Sequence, residues 1–352
     1  MKEFIPDYRH AVNAAYNIEA QRLPLYDHVV ADNVMEAILN KEFAHLLEGD
    51  EKDVKEYFRI FCNFFKTVGY DIVPFECGIG AIMPGSGALA DPRVDPPIKT
   101  REDFENYPWD EIPDYFFTAY TNRYKALREA MPDGMRAVGG LGLGIFECVQ
   151  DVVGFMNLCY IQEDDPELFA DLFNKVGETN LKIWKRFLPQ FADVYCILRF
   201  GDDLGFKTST LLDTSSVREN ILPQYVPIIK EIHSYRKPFL LHTCGYTYNV
   251  MDDIIATGIN AKHSNEDQIA TFPDWVRRYG DRIGNFGGID TDAVCQLSKP
   301  EMKEYIHDLL DQCKGHGGIA FGTGNSVPYF MPPENYLNML EIAREYRGDT
   351  RE

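Results

Sequence analysis

Short apolar runs alternate along this chain with longer stretches whose apolar positions recur at helical spacing. The runs cover residues 22–28, 71–76, 136–142, 194–202, 238–244, 260–264, 284–290 and 317–322, eight in all. Between the fourth and fifth, Val217, Ile221, Tyr225, Ile228, Ile229 and Ile232 fall on one face of a helix over 217–235. Residues 301–313 and 334–346 behave similarly, the second announced by Pro332-Pro333, whose missing N–H is harmless in a first turn. No linker, repeat or low-complexity tract divides the chain. Eight β/α alternations predict an α/β fold, a (β/α)₈ TIM barrel over 1–352 as a single domain, with residues 1–21 a helical extension. The spacing is uneven, with the longest insert at 77–135, and a doubly wound open sheet is the competing arrangement.

A barrel carries its chemistry at the C-terminal ends of its strands. Those ends hold Asp27 and His28, Glu76 and Cys77, Asp202 and Asp203, His242 and Cys244, His263 and Glu266, Asp290 and Asn325. Glu147 lies a few residues past the third run. The opposite ends are mostly Pro, Gly and Lys. This polarity points to an enzyme.

Charge narrows the partners. Thirty-five basic against 55 acidic side chains give a formal charge of −20 over 352 residues, the reverse of what nucleic acid or an anionic membrane surface attracts. No apolar run approaches the roughly 18 residues of a membrane span, and the start, Met1-Lys2-Glu3-Phe4-Ile5, does not read as an export signal. The eight cysteines lack framework spacing and read as reduced thiols. The expectation is a cytoplasmic protein without disulfides.

His242-Thr243-Cys244-Gly245 closes the fifth run. Residues i and i+2 of a strand share a side, so both side chains face the barrel mouth. Imidazole beside thiolate suits Zn²⁺, which needs one or two further ligands, and Glu266 after the sixth run is placed to supply one. The alternative for such a pair is coincidence between two ordinary core residues.

His242-Thr243-Cys244-Gly245, Gly287-Gly288-Ile289-Asp290 and Gly324-Asn325-Ser326-Val327-Pro328 with Pro332-Pro333-Glu334-Asn335 together resemble the uroporphyrinogen decarboxylase superfamily. The resemblance runs from about Arg22 to the C-terminus and is most specific beyond His242. It implies a (β/α)₈ barrel and, through the H-x-C pair, the branch of zinc methyltransferases that work with corrinoid proteins. The related cobalamin-independent methionine synthases place a glutamate ligand 22 residues beyond the cysteine, which here is Glu266. Both groups add a cysteine in the last glycine turn, where this chain has Asn325. Water, substrate or the Asn325 carbonyl then completes the shell. Against the true decarboxylase, only Arg22 answers its paired arginines, its aspartate falls near Glu76, and its last-turn histidine is again Asn325.

The resemblance therefore implies a zinc-dependent methyltransferase for a small methyl donor or acceptor, with O-demethylation of a methoxylated aromatic favoured by the loss of the second thiolate. The chain lacks an Asp-x-His-x-x-Gly cobalamin signature, so cobalamin comes on a separate corrinoid protein. A metal-free decarboxylase or lyase, and a non-catalytic tetrapyrrole- or corrinoid-binding barrel, are the alternatives. Barrels of this family often pair as homodimers. For acid–base work Asp202, Glu147 and Glu76 are the candidates, Asp202 also readable as a helix cap or an ion pair with Arg199 or Lys207, and Glu147 as a first-turn helix acid. Asp203, Asn325, His263 and Asp290 are candidates for substrate binding. His263 also reads as a histidine orienting Glu266, and Asp290 as a cap or as an orienter of His242.

Overall fold

The computed structural model describes residues 4–349. Seven parallel strands form one sheet in sequence order: β1 Ile72–Gly78, β2 Arg136–Gly142, β3 Tyr195–Gly201, β4 Phe239–His242, β5 Ala261–His263, β6 Gly284–Ile289 and β7 Ile319–Thr323. Each corresponds to one of the apolar runs, and helices separate them as parallel connections require. The strand interiors are buried, as in a sheet covered on both faces.

The first run, 22–28, completes the curve as an extended stave rather than a full strand. Phe321 donates its N–H to the Pro24 carbonyl and Tyr26 donates to the Phe321 carbonyl, both at 2.9 Å, so the stave rides on β7. Gly322 permits the approach, since a Cβ there would lie 1.8 Å from the Tyr26 carbonyl oxygen. Toward β1 no ladder forms. Pro74 has no N–H to offer on that edge, and a proline within a strand suits only an edge that is not pairing. Side chains span the gap instead. Tyr70 and Tyr336 hydroxyls donate to the buried Asp27 carboxylate, and Arg22 pairs with Asp71. The predicted (β/α)₈ arrangement is thus realised as seven hydrogen-bonded strands plus a stave, curled into a barrel.

An N-terminal helix, Arg9–Ala15, lies within the predicted extension. Helix Glu51–Val68 is set by an Asp50–Asp53 capping box and stopped by Gly69 at φ +97°. Its buried face, with Tyr57, Phe58, Phe61 and Phe65, packs over β1 through Phe75, whose ring centroid is 4.7 Å from that of Phe58. The predicted 217–235 helix is present as a π turn, Val217–Ile221, running into Leu222–Ser234. The other two are Lys299–Cys313 and Pro333–Tyr346. Among the described residues no helix is long and apolar enough to cross a membrane.

Register stacks the interior into layers. Gly78 pairs with Gly142, Gly201 with His242, and His242 with His263, so the uppermost layer is glycine on β1–β3 and imidazole on β4–β5. One layer down, Glu76 pairs with Gly140 and Gly140 with Arg199. The strands thereby leave space on one side of the mouth and crowd nitrogen ligands on the other.

Candidate metal centre

His242 ends β4, and Cys244 stands two residues beyond it on the same side. Cys244 Sγ lies 3.3 Å from His242 Nε2, and Asp203 Oδ1 lies 3.7 Å from the same nitrogen. Ligands on a zinc tetrahedron, with Zn–S of about 2.3 Å and Zn–N of about 2.0 Å, stand about 3.5 Å apart. The three donor atoms are thus close to the spacing that a zinc ion imposes, and Asp203, His242 and Cys244 form one ligand-sized group. The Cys244 N–H donates to Asp203 Oδ1 at 2.8 Å, fixing the carboxylate beside the sulfur. Burial, then the Asp203 charge, pushes the Cys244 thiol well above its ordinary value. A cation at this point reverses that balance.

The hydrogen bonds assign the His242 tautomer. His263 Nε2 faces the Thr323 carbonyl at 3.2 Å, which only accepts, so that nitrogen carries a proton. Burial pushes His263 down to about 3, leaving the ring neutral and its Nδ1 an acceptor. His242 Nδ1, 2.7 Å away, therefore donates, and its Nε2 lone pair is directed at Cys244 and Asp203. Burial also holds His242 neutral, well below the usual imidazole range. His28 lies flat on His242, ring centroids 3.7 Å apart and planes at 13°. Although His28, His242 and His263 also cluster, face-to-face stacking and the short Nδ1···Nδ1 hydrogen bond keep their lone pairs from converging on one ion.

The candidate ligand Glu266 stands beside this group rather than in it, its Oε1 accepting from the Gly245 N–H at 3.3 Å. Asn325, in the last glycine turn, donates from Nδ2 to Cys244 Sγ at 3.2 Å, while its Oδ1 accepts from Ser326 N–H. Glu266, Asn325 and Asp290 border an open cleft of about 400 Å³ at the mouth. Asp290 caps helix Thr291–Gln296 and also accepts from Asp267 N–H at 2.9 Å, with no bond to His242.

The adjacent aspartates part company. Asp202 turns away from the mouth and accepts from the N–H groups of Ile145, Phe146 and Glu147 and from the Tyr225 hydroxyl at 2.6 Å. It is the anion at the N-terminus of helix Ile145–Val153, the cap reading, and neither Arg199 nor Lys207 pairs with it. Asp203 is the one that faces inward, following Arg199 and Gly201 at two-residue spacing.

Glu147, in the first turn of that helix, reaches the open side of the mouth. A Cβ on Gly201 would lie 3.5 Å from His242 Cδ2, 3.7 Å from Glu147 Oε2 and 3.9 Å from His28 Nε2. Burial, followed by the charges of Asp203, Asp202 and Glu76, raises the Glu147 carboxyl well above the usual range, which favours its protonated form. Glu76 is engaged by fully buried Arg199, whose Nε donates to Glu76 Oε2 at 2.8 Å. Arg199 Nη1 donates to the Tyr26 hydroxyl at 2.6 Å and to the His28 carbonyl.

His263 orients His242 rather than Glu266. Tyr26 carried no role in the sequence reading, while His28 entered it only as a strand-end residue and Arg199 only as a possible partner of Asp202. The signal for Arg199 was present, since a charge inside Tyr195-Cys196-Ile197-Leu198-Arg199-Phe200 is affordable only with a buried partner.

The curled parallel sheet thus carries an imidazole, a thiol and a carboxylate that could hold a metal ion at the C-terminal end of its strands. Residues 72–346 match the family model described as uroporphyrinogen decarboxylase (URO-D), and the chain belongs to that family. No curated protein sequence matches it. Among solved structures, a methyltransferase from Methanosarcina mazei superposes with a TM-score of 0.70 at 13% identity, covering 96% of this chain and 98% of the other. A putative vitamin-B12-independent methionine synthase from Listeria monocytogenes gives 0.53 at 13% identity, over 94% and 99%. At these identities the likeness is one of fold.

Proposed function

We infer that the protein is a zinc-dependent methyltransferase that takes a methyl group from a small methoxylated aromatic and passes it to cobalamin on a separate corrinoid protein. The observation that carries this reading is the convergence of His242 Nε2, Cys244 Sγ and Asp203 Oδ1 at ligand spacing. One neutral nitrogen, one thiolate and one carboxylate balance the charge of Zn²⁺ and leave a place for a substrate oxygen. Bound there, zinc supplies Lewis acidity toward that oxygen.

The chain's own groups complete the chemistry. His263 fixes the ligand tautomer, and Asn325 donates to the sulfur, tempering its charge. Were the methyl carbon passed to the partner's corrinoid, the C–O electron pair would stay on oxygen. Protonated Glu147 supplies the proton that converts this oxygen to a hydroxyl. Gly78, Gly142 and Gly201 keep the facing side of the mouth open for the donor.

A decarboxylase reading finds less support. Asp202 is spent on four donors and Glu76 is paired with Arg199, so neither of the carboxylates that such a lyase would use is free. The test is methyl transfer from a panel of methoxylated aromatics to a cob(I)alamin-bearing corrinoid protein, followed by the visible spectrum. Zinc-dependent methylation of cobalt is expected. Decarboxylation of a porphyrinogen, or its tight binding without turnover, in the absence of any methyl transfer would overturn the reading.

A further inference from the structure

The gap between the stave and β1 opens into a cavity of about 220 Å³ through the barrel wall, separate from the cleft at the mouth. Its sides are Tyr57, Phe61 and Phe75, and its inner end is His28, Glu76 and Arg199. An apolar cavity of about 150 Å³ holds benzene. This one has room for a benzene ring with one or two small substituents.

The polar end has a defined pattern. Arg199 is already a donor to the Tyr26 oxygen, so the Tyr26 proton turns to His28 Nδ1, 3.5 Å away. With its Nδ1 facing that hydroxyl, the His28 ring carries its proton on Nε2. Glu76 places Oε2 against both Nε and Nη2 of Arg199, at 2.8 and 2.7 Å. The Nη2 contact is poorly aligned, leaving that group without a satisfied hydrogen bond. Glu76 Oε1 stands 3.9 Å from His28 Nε2, too far for a hydrogen bond. The cavity thus ends in one N–H donor and one carboxylate acceptor, side by side and unengaged. Since Arg199 and Glu76 cancel, the end offers no net positive charge to an anion.

We propose that this side cavity binds a small uncharged monocyclic phenol, its ring between Tyr57, Phe61 and Phe75 and its hydroxyl between His28 Nε2 and Glu76 Oε1. A hydroxyl accepts from the first and donates to the second, a pairing that neither an ether oxygen nor a carboxylate reproduces. The inner wall is His28, whose other face is stacked on His242, so a ligand here adjoins the metal centre while the mouth stays free for a protein partner. The proposal rests on the demethylase reading only for the choice of a methoxy-bearing probe.

Isothermal titration of the full chain, zinc-loaded and zinc-stripped, with 2-methoxyphenol, anisole and benzoate tests it. The phenol binds in both forms, anisole about tenfold more weakly for want of the hydroxyl, and benzoate weakest. His28→Ala weakens the phenol by a similar factor, and Ala31→Phe, at the cavity rim and away from the polar end, occludes it, with thermal melting confirming that both variants fold. Equal affinity for phenol and anisole, or phenol binding unchanged in both folded variants, overturns the proposal. Phenol binding with this pattern but without methyl transfer supports the site and overturns the demethylase reading instead.

Discussion

At the scale of single residues the centre is a relay of protons with fixed positions. Thr323 carbonyl, His263 and His242 form a chain in which each hydrogen bond sets the next, ending in a lone pair at His242 Nε2. Replacing His263 by Ala frees the ring to rotate and is expected to weaken zinc binding by about 10–100-fold while His242 and Cys244 remain; competition with a chromophoric chelator measures it. Glu147 makes the pH prediction. Burial raises its pKa, so the acid form persists to higher pH than in an exposed glutamate, and turnover should fall as pH rises through that raised value rather than as it drops. Glu147→Gln should remove this limb and cost about 10²–10⁴ in turnover. A pH profile unchanged by the substitution would remove Glu147 as the proton donor.

At the scale of elements, strand parity decides which chemistry faces the mouth. The H-x-C pair was legible because i and i+2 share a side whatever the strand's neighbours do. Asp202 and Asp203 were not separable, since adjacent residues point oppositely and only the direction of Arg199 tells which is inward. The seven strands were legible as apolar runs. The stave was not distinguishable from a strand, because its lack of partners toward β1 comes from Pro74 on another element. Glu266 shows the limit of spacing: the interval from Cys244 fits the related ligand pattern, yet the turn at Gly245 seats its carboxylate on a backbone N–H. Asp202 belongs to this scale as a cap carried by a neighbouring strand. Asp202→Asn should cost about 1–3 kcal/mol of stability, read by denaturant melts, through weakened bonds to helix Ile145–Val153. Zinc content should stay at the wild-type level, and its loss would place Asp202 in the metal centre after all.

For the whole molecule, the barrel divides its labour by direction. The glycine ends of β1–β3 leave space, β4 and β5 bring the imidazoles, and the loops after β3 and β4 bring Asp203 and Cys244. The family was legible in the glycine pair within β6 and the glycine turn after β7, which are backbone requirements. The ligand carboxylate was not, since it depends on how two loops from different strands meet. The reading turns on His242, Cys244 and Asp203 holding a cation between them. Metal content therefore tests the account most directly, measured on the wild type beside His242→Ala, Cys244→Ala, Asp203→Ala and Glu266→Ala after zinc reconstitution. The account predicts about one zinc per chain, lost without His242 or Cys244 and reduced more by Asp203→Ala than by Glu266→Ala. A wild type that takes up no zinc would contradict it, and so would zinc retained in full without His242 and Cys244.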